Sequence, residues 1–294
     1  MQNLEHIRML VLSADLGSFS ACARHLGKVQ SAVSHGISTL EIDLNVELFD
    51  RSTRKPVLTP AGERLYRSAK ALLAQSDEFS LIAKSINRQE ESELCIVIDD
   101  ALLTPKITQL LALFAEKFPH TQLDILTRPS PDIVPLIQQG KASFGLMFTE
   151  LATIKEVDFC YIGHMPMLAV CHPDHPLAQR DQVNETDLFA HRQLAIRGSQ
   201  KTEPPMMVSM SPNVWWCSSS LNALALIQQN VGWGYLPEYL VTPKIEAKAL
   251  AQLRMSFDHV AWQVPIDLIW QRGNAIGPGA KWLFNELKQR FVTP

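Results

Sequence analysis

The fold of this chain is decided first by residues 17–41, which read GSFSACARHLGKVQSAVSHGISTLE. Apolar residues recur at helical spacing on both sides of a central glycine, first at Phe19 and Ala23 and then at Val33 and Ile37. Two short helices joined by a tight turn of this kind form a helix-turn-helix. The pattern therefore predicts this motif near the start of the chain.

The second of these helices turns a polar, uncharged face outward. Such a face fits the major groove of DNA, where a glutamine amide can bond an adenine edge and serine hydroxyls can reach bases or phosphates. A small basic loop, FDRSTRKP at residues 49–56, follows as a wing suited to backbone phosphates. We expect DNA contacts from these residues of the module: Ser18, Ser20, Gln30, Ser31, Ser34, His35, Arg51 and Arg54.

A long helix is predicted from Ala61 to about Arg88. Small and apolar residues recur there at alternating spacings of three and four residues, which places them in a narrow stripe along one helix face, as in a coiled coil. A stripe that narrow favours pairing with a second helix. Packing on its own domain is the alternative, because the stripe contains a serine and several alanines: Ala61, Leu65, Ala69, Leu72, Ser76, Phe79, Ala83 and Ile86.

The periodicity changes after Glu93. Apolar runs of strand length alternate with helical patterns, one of which begins at Thr104 with a cap and a first-turn proline. This alternation predicts an α/β unit with a parallel sheet. We expect strands at residues 94–98, 123–127, 143–148, 167–171, 193–196, 234–236 and 265–270, and later helices at 132–139, 219–230 and 279–291.

Composition places the chain among ordinary globular proteins. Of its 294 residues 46% are hydrophobic and 19% are charged. No apolar run approaches the roughly 20 residues that span a bilayer, and the start has no signal-peptide core. Five scattered cysteines do not make a disulfide framework. We therefore expect a cytoplasmic protein of more than one domain, with no membrane partner.

The net charge of −3 gives no support to nucleic-acid binding by the chain as a whole. Residues 1–90 carry eleven Lys and Arg against ten Asp and Glu. Because phosphate binding depends on Lys and Arg, any DNA binding must rest on local basic clusters such as the wing.

Several short motifs together resemble the N-terminal signature of LysR-type transcriptional regulators. These are GSFS at 17–20, QSAVS at 30–34, LE at 40–41, LFDR at 48–51 and LTPAG at 58–62. The resemblance implies an all-α winged helix-turn-helix over residues 1–60, a dimerising linker helix over 61–90, and a two-lobed α/β effector domain similar to periplasmic binding proteins over 91–294. Lobe 1 would comprise about 91–161 and 266–294, and lobe 2 about 162–265.

The resemblance also implies a function. A sequence-specific transcriptional regulator of this kind binds double-stranded DNA as a homodimer or homotetramer, contacts RNA polymerase, and responds to a small-molecule effector in the cleft of its C-terminal domain. No cofactor is implied.

The chain departs from the family pattern in the second helix of the motif, which is the recognition helix. Val29 and Ser31 replace the usual Ser or Thr cap and the following proline, so the helix loses a preferred cap. Gly36 stands where a long polar residue is usual, and a glycine inside a helix costs about 0.5–1 kcal/mol relative to alanine. We expect the preferred DNA sequence to differ from the common one.

The effector cleft is predicted beyond the carboxyl ends of the strands, where ligands bind in open α/β sheets. Arg128, Arg197 and the helix start at Thr104 favour a small organic acid. Asp99 and Asp100 instead favour an ammonium group or a hydroxyl donor, and pairing of these acids with the arginines is a third alternative. We expect effector contacts from Asp100, Ala101, Leu102, Thr104, Ser130, Phe148, Arg197 and Ser219.

Other functional classes find less support. The sequence has no GxSxG, no glycine-rich phosphate loop and no HExxH, so no catalytic residue is expected. A zinc site at Cys171, His172 and His175 is not expected, because the resembling family uses that loop as structure. Redox sensing through Cys160 and Cys171 is the alternative function, against inert buried thiols. Trp215 and its neighbour Trp216 are expected to pack in the core or between the lobes.

Overall fold

The computed structural model describes residues 3–50, 56–150, 156–205, 209–258, 260–273 and 276–292. The chain divides into two compact units, residues 1–88 and residues 89–294. No helix among the described residues has the length and apolar character needed to cross a membrane.

The first unit is helical with one small pair of strands. Its elements are α1 (Leu4–Asp15), α2 (Phe19–His25), α3 (Gln30–Leu44), β1 (Phe49–Asp50), β2 (Val57–Leu58) and α4 (Pro60–Asn87). The two strands pair antiparallel and flank the wing, whose residues 51–55 lie outside the described residues. The predicted helix-turn-helix is confirmed as α2 and α3.

Side chains from the first three helices make the core of this unit. Val33, Ile37 and Leu40 of α3 are fully buried and pack with Leu10 of α1 and Cys22 of α2. Burial of this face leaves the opposite face of α3 to solvent. The predicted direction of the recognition helix is therefore confirmed.

The start of α3 has the weakness that the sequence predicts. Val29 occupies the cap position with extended backbone and supplies no side-chain hydrogen bond. In contrast, Ser18 accepts a hydrogen bond from the Ala21 backbone N–H at 3.3 Å and caps α2. Thr59 caps α4 in the same way.

Gly36 has a different role from the one that its family position suggests. It is buried, and a Cβ atom there would lie 2.5 Å from the sulfur of Met9 and 3.1 Å from the ring of His6. The glycine lets α1 approach α3 closely. Because this residue faces the core, it does not take part in reading DNA directly.

The second unit contains one mixed sheet and six helices among its described residues. The first elements are β3 (Glu93–Ile98), α5 (Pro105–Lys117), β4 (Gln122–Thr127), α6 (Ser130–Gln138), β5 (Phe144–Phe148) and β6 (Val157–Cys171). The rest are α7 (Glu185–Phe189), β7 (Gln193–Ile196), β8 (Val214–Cys217), α8 (Ser220–Gln228), β9 (Trp233–Pro237), α9 (Glu238–Glu246), β10 (Ala251–Gln252), β11 (Trp262–Gln271) and α10 (Pro278–Val292).

The sheet divides into two lobes that share two strands. Its order is β4-β3-β5-β11-β6-β9-β7-β8, with β10 beside β6. The parallel strands β3, β4 and β5 form one lobe with α5, α6 and α10, and β7, β8 and β9 form the other with α8 and α9. The predicted two-lobed α/β architecture is confirmed.

The shared strands are longer than the sequence indicates. We expected strands only at residues 167–171 and 265–270, whereas β6 and β11 begin at Val157 and Trp262. The two strands pair antiparallel over residues 157–167 and 262–271. Their extra residues alternate between buried and exposed, so they form no continuous apolar run. The pairing register shifts between Ile266 and Asp267, where the two strands pass from one lobe to the other.

Candidate DNA-reading surface and interlobe cleft

The outward face of α3 carries the residues predicted to read DNA. Gln30, Ser31 and His35 are exposed, and Ser34 is partly buried. The hydroxyl of Ser20 on α2 donates to the side-chain oxygen of Gln30 at 2.7 Å. This hydrogen bond joins the two helices of the motif and orients the Gln30 amide.

The structure describes Ser18, another predicted DNA contact, but not the two arginines of the wing. Ser18 serves as the cap of α2, where its hydroxyl oxygen accepts from the backbone N–H of Ala21. Arg51 and Arg54 of the wing lie outside the described residues. Their contact with phosphates stays a prediction from the sequence.

A cleft of about 760 Å³ opens between the two lobes. It lies at the carboxyl ends of β4, β7 and β8, as the rule for open α/β sheets predicts. Three of the predicted effector residues line it together: Asp100, Arg197 and Ser219. The wall also includes Thr127, Arg128, Pro129, Pro131, Asp132, Pro135, Leu136, Gly198, Ser199, Gln200, Thr202, Trp216, Cys217 and Ser218.

The remaining predicted effector residues do not line this cleft. Ala101, Leu102 and Phe148 are buried in the hydrophobic core. Ser130 is also buried, beneath the wall, where its backbone N–H and hydroxyl both donate to Asp99. Thr104 caps α5 and lines a separate cavity of about 940 Å³.

Asp99 is a buried structural carboxylate. It accepts hydrogen bonds from the backbone N–H of Ala101 at 3.1 Å, and from the backbone N–H and hydroxyl of Ser130 at 2.7 and 2.5 Å. Burial, with a smaller contribution from the neighbouring Asp100 carboxylate, raises the pKa of Asp99 to about 7. Ser130 in turn accepts from the backbone N–H of Phe148 at 2.9 Å, so Asp99 joins the ends of three segments of its lobe.

Asp100 faces the cleft, and only one of its two carboxylate oxygens has a hydrogen-bond partner among the described residues. Its Oδ2 accepts from the backbone N–H of Ser220, at the start of α8 in the other lobe, at 2.6 Å. Its Oδ1 is buried and finds no hydrogen-bond partner among the described residues. Burial raises the pKa of this carboxyl. A ligand that donates a hydrogen bond would therefore be favoured here.

The arginines of the cleft have no carboxylate partner in the described part of the chain. Arg128 donates to the carbonyl of Thr127 at 2.7 Å, and the Arg197 guanidinium lies 4.9 Å from the ring centre of Trp216. The carboxylate of Asp132 accepts instead from the backbone N–H and hydroxyl of Ser199, at 2.9 and 3.0 Å. The described acids of the cleft therefore do not pair with its arginines, which excludes the third alternative for these residues.

Of the two tryptophans, Trp216 lies between the lobes, as the sequence predicts, whereas Trp215 does not. Trp216 lines the cleft under Arg197, and Trp215 is about half exposed, with the Arg192 guanidinium 4.1 Å from its ring centre. Strand β8 lies at the edge of the sheet, which is why one of its faces stays open.

The thiols and histidines do not form a reactive or metal-binding cluster in the described residues. Burial raises the pKa of Cys171 to about 12 and also raises the pKa values of Cys95 and Cys217. A raised pKa leaves little thiolate for oxidation. No group of three or more His, Cys, Asp or Glu side chains in the described ranges is arranged to hold a metal ion.

Asp132 and Trp216 are among the cleft residues that we did not predict as effector contacts. They shape the wall on opposite lobes. Asp132 lies in the first turn of a helix that follows a strand, which is a position that the strand-end rule could have included. Nothing local marks Trp216, because its exposure depends on the position of β8 in the sheet.

Both units match known protein families. Residues 4–63 match the family described as bacterial regulatory helix-turn-helix protein, lysR family, and residues 87–292 match the LysR substrate binding domain. The HTH-type transcriptional regulator AceR of Acinetobacter baumannii is 30% identical over 99% of this chain and 98% of its own length. The multiple virulence factor regulator MvfR of Pseudomonas aeruginosa is 29% identical over 86% of this chain and 76% of its own length.

Solved structures share the whole fold. A mutant of OxyR from Corynebacterium glutamicum superposes with a TM-score of 0.54 at 22% identity, covering 99% of this chain and 95% of that one. CbnR, a LysR family transcriptional regulator, gives a TM-score of 0.52 at 18% identity over 97% and 99% of the two chains.

Proposed function

The chain belongs to the LysR family of bacterial transcriptional regulators, and from that premise we propose how its own residues read DNA and recognise an effector. As a member it is a DNA-binding regulator whose DNA binding is modulated by a small molecule in the C-terminal cleft. The observation that carries the proposal is the pairing, in one chain, of an exposed polar recognition face with a cleft that holds unpaired charged groups.

Base reading is assigned to the exposed face of α3. Gln30, Ser31 and Ser34 meet base edges, His35 lies beside them, and Arg51 and Arg54 of the wing bind phosphates. Short polar side chains on a helix that lies in the major groove can reach the edges of the bases. Ser18 and Ser20 support the surface from α2, by capping that helix and by holding the Gln30 amide.

Oligomerisation is assigned to the linker helix α4. Ala69 and Leu65, in its first half, pack in the core of their own unit. Apolar side chains farther along the helix point to solvent within that unit, with Leu72 42%, Phe79 74% and Ile86 68% exposed. Side chains of this size are rarely left in water along one helix face, and their alternate spacing fits a second copy of the same helix. We propose a homodimer, or a dimer of dimers, that acts in the cytoplasm and contacts RNA polymerase from DNA.

The effector is assigned a carboxylate together with a hydrogen-bond donor. The carboxylate would bind Arg128 and Arg197, which form no ion pair with an acid among the described residues. The donor, an ammonium or hydroxyl group, would satisfy the buried Oδ1 of Asp100. An amino acid or hydroxy acid meets both requirements, whereas a simple acid or a simple amine meets only one. No residue is assigned a catalytic role.

DNA reading is tested by anisotropy with the full-length protein and a duplex selected in vitro from a random pool. Arg51→Ala with Arg54→Ala should weaken binding to all sequences and lower the slope of log K against log salt by about 1 for each lost phosphate contact. Gln30→Ala should instead relax the choice of sequence. Unchanged affinity and salt slope in the wing variant would refute the wing assignment.

The effector class is tested by thermal shifts with matched trios, such as phenylalanine, 3-phenylpropanoate and phenethylamine. The compound with both groups should stabilise the full-length protein most. Arg197→Gln should remove the advantage over the amine, and Asp100→Asn should remove the advantage over the simple acid. If simple acids of every body size stabilise the protein as well as the matched amino acids, Asp100 does not contact the effector.

A further inference from the structure

We propose that the second cavity of the effector unit is a separate binding site for an amphipathic carboxylate, a small molecule with an apolar body and one anionic head. We call it the hinge cavity. It shares no lining residue with the interlobe cleft. Its lining consists of Thr104, Pro105, Lys106, Ile107, His164, Met165, Pro166, Glu238, Tyr239, Thr242, Pro243, Gln263 and Arg290.

The hinge cavity is built from both lobes and from the strands that join them. The start of α5 and Arg290 of α10 come from one lobe, and the first turns of α9 come from the other. Residues 164–166 of β6 and Gln263 of β11 supply the wall between them. A ligand that touches elements of both lobes would bind with an affinity that depends on the angle between the lobes, because that angle sets the width of the cavity.

The size and lining suit an apolar body. The cavity measures about 940 Å³, near the upper end of the range of roughly 300–1,000 Å³ typical of small-molecule pockets. Ile107, Met165, Pro166 and Pro243 contribute apolar surface, and the ring of Tyr239 adds an aromatic wall. Lining of this kind stabilises a ligand mainly by removing hydrocarbon from water.

The charges at the rim favour an anionic head. The lining contains two basic side chains, Lys106 and Arg290, and one acid, Glu238. The Nε of Arg290 is buried and has no hydrogen-bond partner among the described residues, although another nitrogen of the same guanidinium forms an ion pair with Glu286 at 3.7 Å. A buried donor without an acceptor is costly, and a carboxylate would supply one in charge-assisted form.

Tyr239 connects the hinge cavity to the interlobe cleft. Burial, together with the carboxylates of Asp100 and Asp99, raises the pKa of Tyr239 to about 12. The ring that forms one wall of the hinge cavity thus lies near the acid that faces the cleft. Occupancy of one cavity should therefore change the affinity of the other, and the coupling must be reciprocal.

The test uses the full-length protein, with octanoate, octanol and octylammonium as matched probes. Met165 supplies a reporter, since its methyl group can be followed by NMR after labelling of the methionines with ¹³C and assigned with Met165→Leu. Octanoate should shift the Met165 resonance and bind at least tenfold more tightly than octanol or octylammonium. Lys106→Gln, at an exposed position, and Arg290→Gln should each weaken octanoate severalfold and leave octanol unchanged.

The matched control is Arg197→Gln in the interlobe cleft. It should leave octanoate binding unaltered, which also separates this site from the proposed effector site. A Met165 resonance that stays in place at saturating octanoate overturns the hinge site. So does loss of octanoate binding in Arg197→Gln, since the probe then occupies the cleft. Equal binding of octylammonium would overturn the assignment of an anionic head.

Discussion

The outward face of α3 and the interlobe cleft both present polar groups to a partner, yet they are built in opposite ways. The recognition face consists of exposed hydroxyl and amide groups, of which Gln30 is held by Ser20. The cleft contains the partly buried carboxylate of Asp100, and the fully buried carboxylate of Asp99 lies next to it in the core; burial raises the pKa of both. Substitutions on the first surface should change affinity alone, whereas substitutions in the second should also change folding and lobe closure.

The sharpest test of this difference is Asp99→Ala. Three donors would lose their acceptor in the core: the backbone N–H of Ala101 and the backbone N–H and hydroxyl of Ser130. We expect a loss of about 3–5 kcal/mol in the free energy of unfolding, because buried donors without partners cost about 1–3 kcal/mol each and are not fully additive. Urea denaturation of the full-length protein measures it.

The control for this variant is Ser31→Ala on the recognition face. An exposed position of this kind should change the free energy of unfolding by less than about 0.5 kcal/mol. If Asp99→Ala proves as neutral as Ser31→Ala, the carboxylate does not join the segments of its lobe.

The same carboxylate should make stability depend on pH. The pKa of Asp99 in the folded state is about 7, above the value of about 3.9 in an unfolded chain. The folded state therefore holds more protons between these values, so its stability falls as the pH rises from about 4 to about 7. Between pH 5 and pH 7 we expect a loss on the order of 2 kcal/mol that is absent in Asp99→Asn.

Urea titrations of the wild type and of Asp99→Asn at both pH values isolate this contribution. Asp100 acts in the same direction, since burial raises its pKa as well, and it remains in both proteins. Identical pH dependence in the two proteins would mean that Asp99 is ionised throughout.

On the recognition face the expected effects concern DNA rather than folding. Gln30→Ala should reduce discrimination between the selected duplex and a variant at the contacted base pair by about 2 kcal/mol, within the range for one good side-chain contact to a base. Ser20→Ala should lose a smaller part of it, because Gln30 stays present but loses its 2.7 Å hydrogen bond. Competition anisotropy measures both. Equal losses of affinity on every duplex would place Gln30 on phosphates instead.

The two surfaces also differ in how far the sequence predicts them. The buried side of α3 follows from the spacing of Val33 and Ile37, and the first turn of α5 follows from Thr104 with its proline. Both depend on neighbours along the chain. Local periodicity and caps therefore predict α3 and the start of α5.

The cleft depends on pairing between distant segments. Asp132 meets Ser199 and Asp100 meets Ser220 only after the two lobes have formed on their shared strands. Phe148 ends a strand, as predicted, but its side chain turns into the core. The strand-end rule locates a cleft without saying which side chains at each strand end face it.

The smallest expected effect tests the one local defect of the recognition module. Val29 caps α3 without a hydrogen bond, although its extended backbone has the geometry that a capping serine needs. It is also 67% exposed, so its replacement costs little buried apolar surface. Val29→Ser should stabilise the first unit by about 1 kcal/mol.

Ser18→Ala, which removes the cap of α2, is the matched control and should destabilise the first unit by a similar amount. Hydrogen exchange of amides in α3 of the full-length protein reports this unit separately from the second. If exchange in α3 is unchanged in Val29→Ser, the missing cap does not limit the stability of the recognition helix. Unlike Asp99, the residues of α3 would then contribute little to stability through either their exposed side chains or the capping of their backbone.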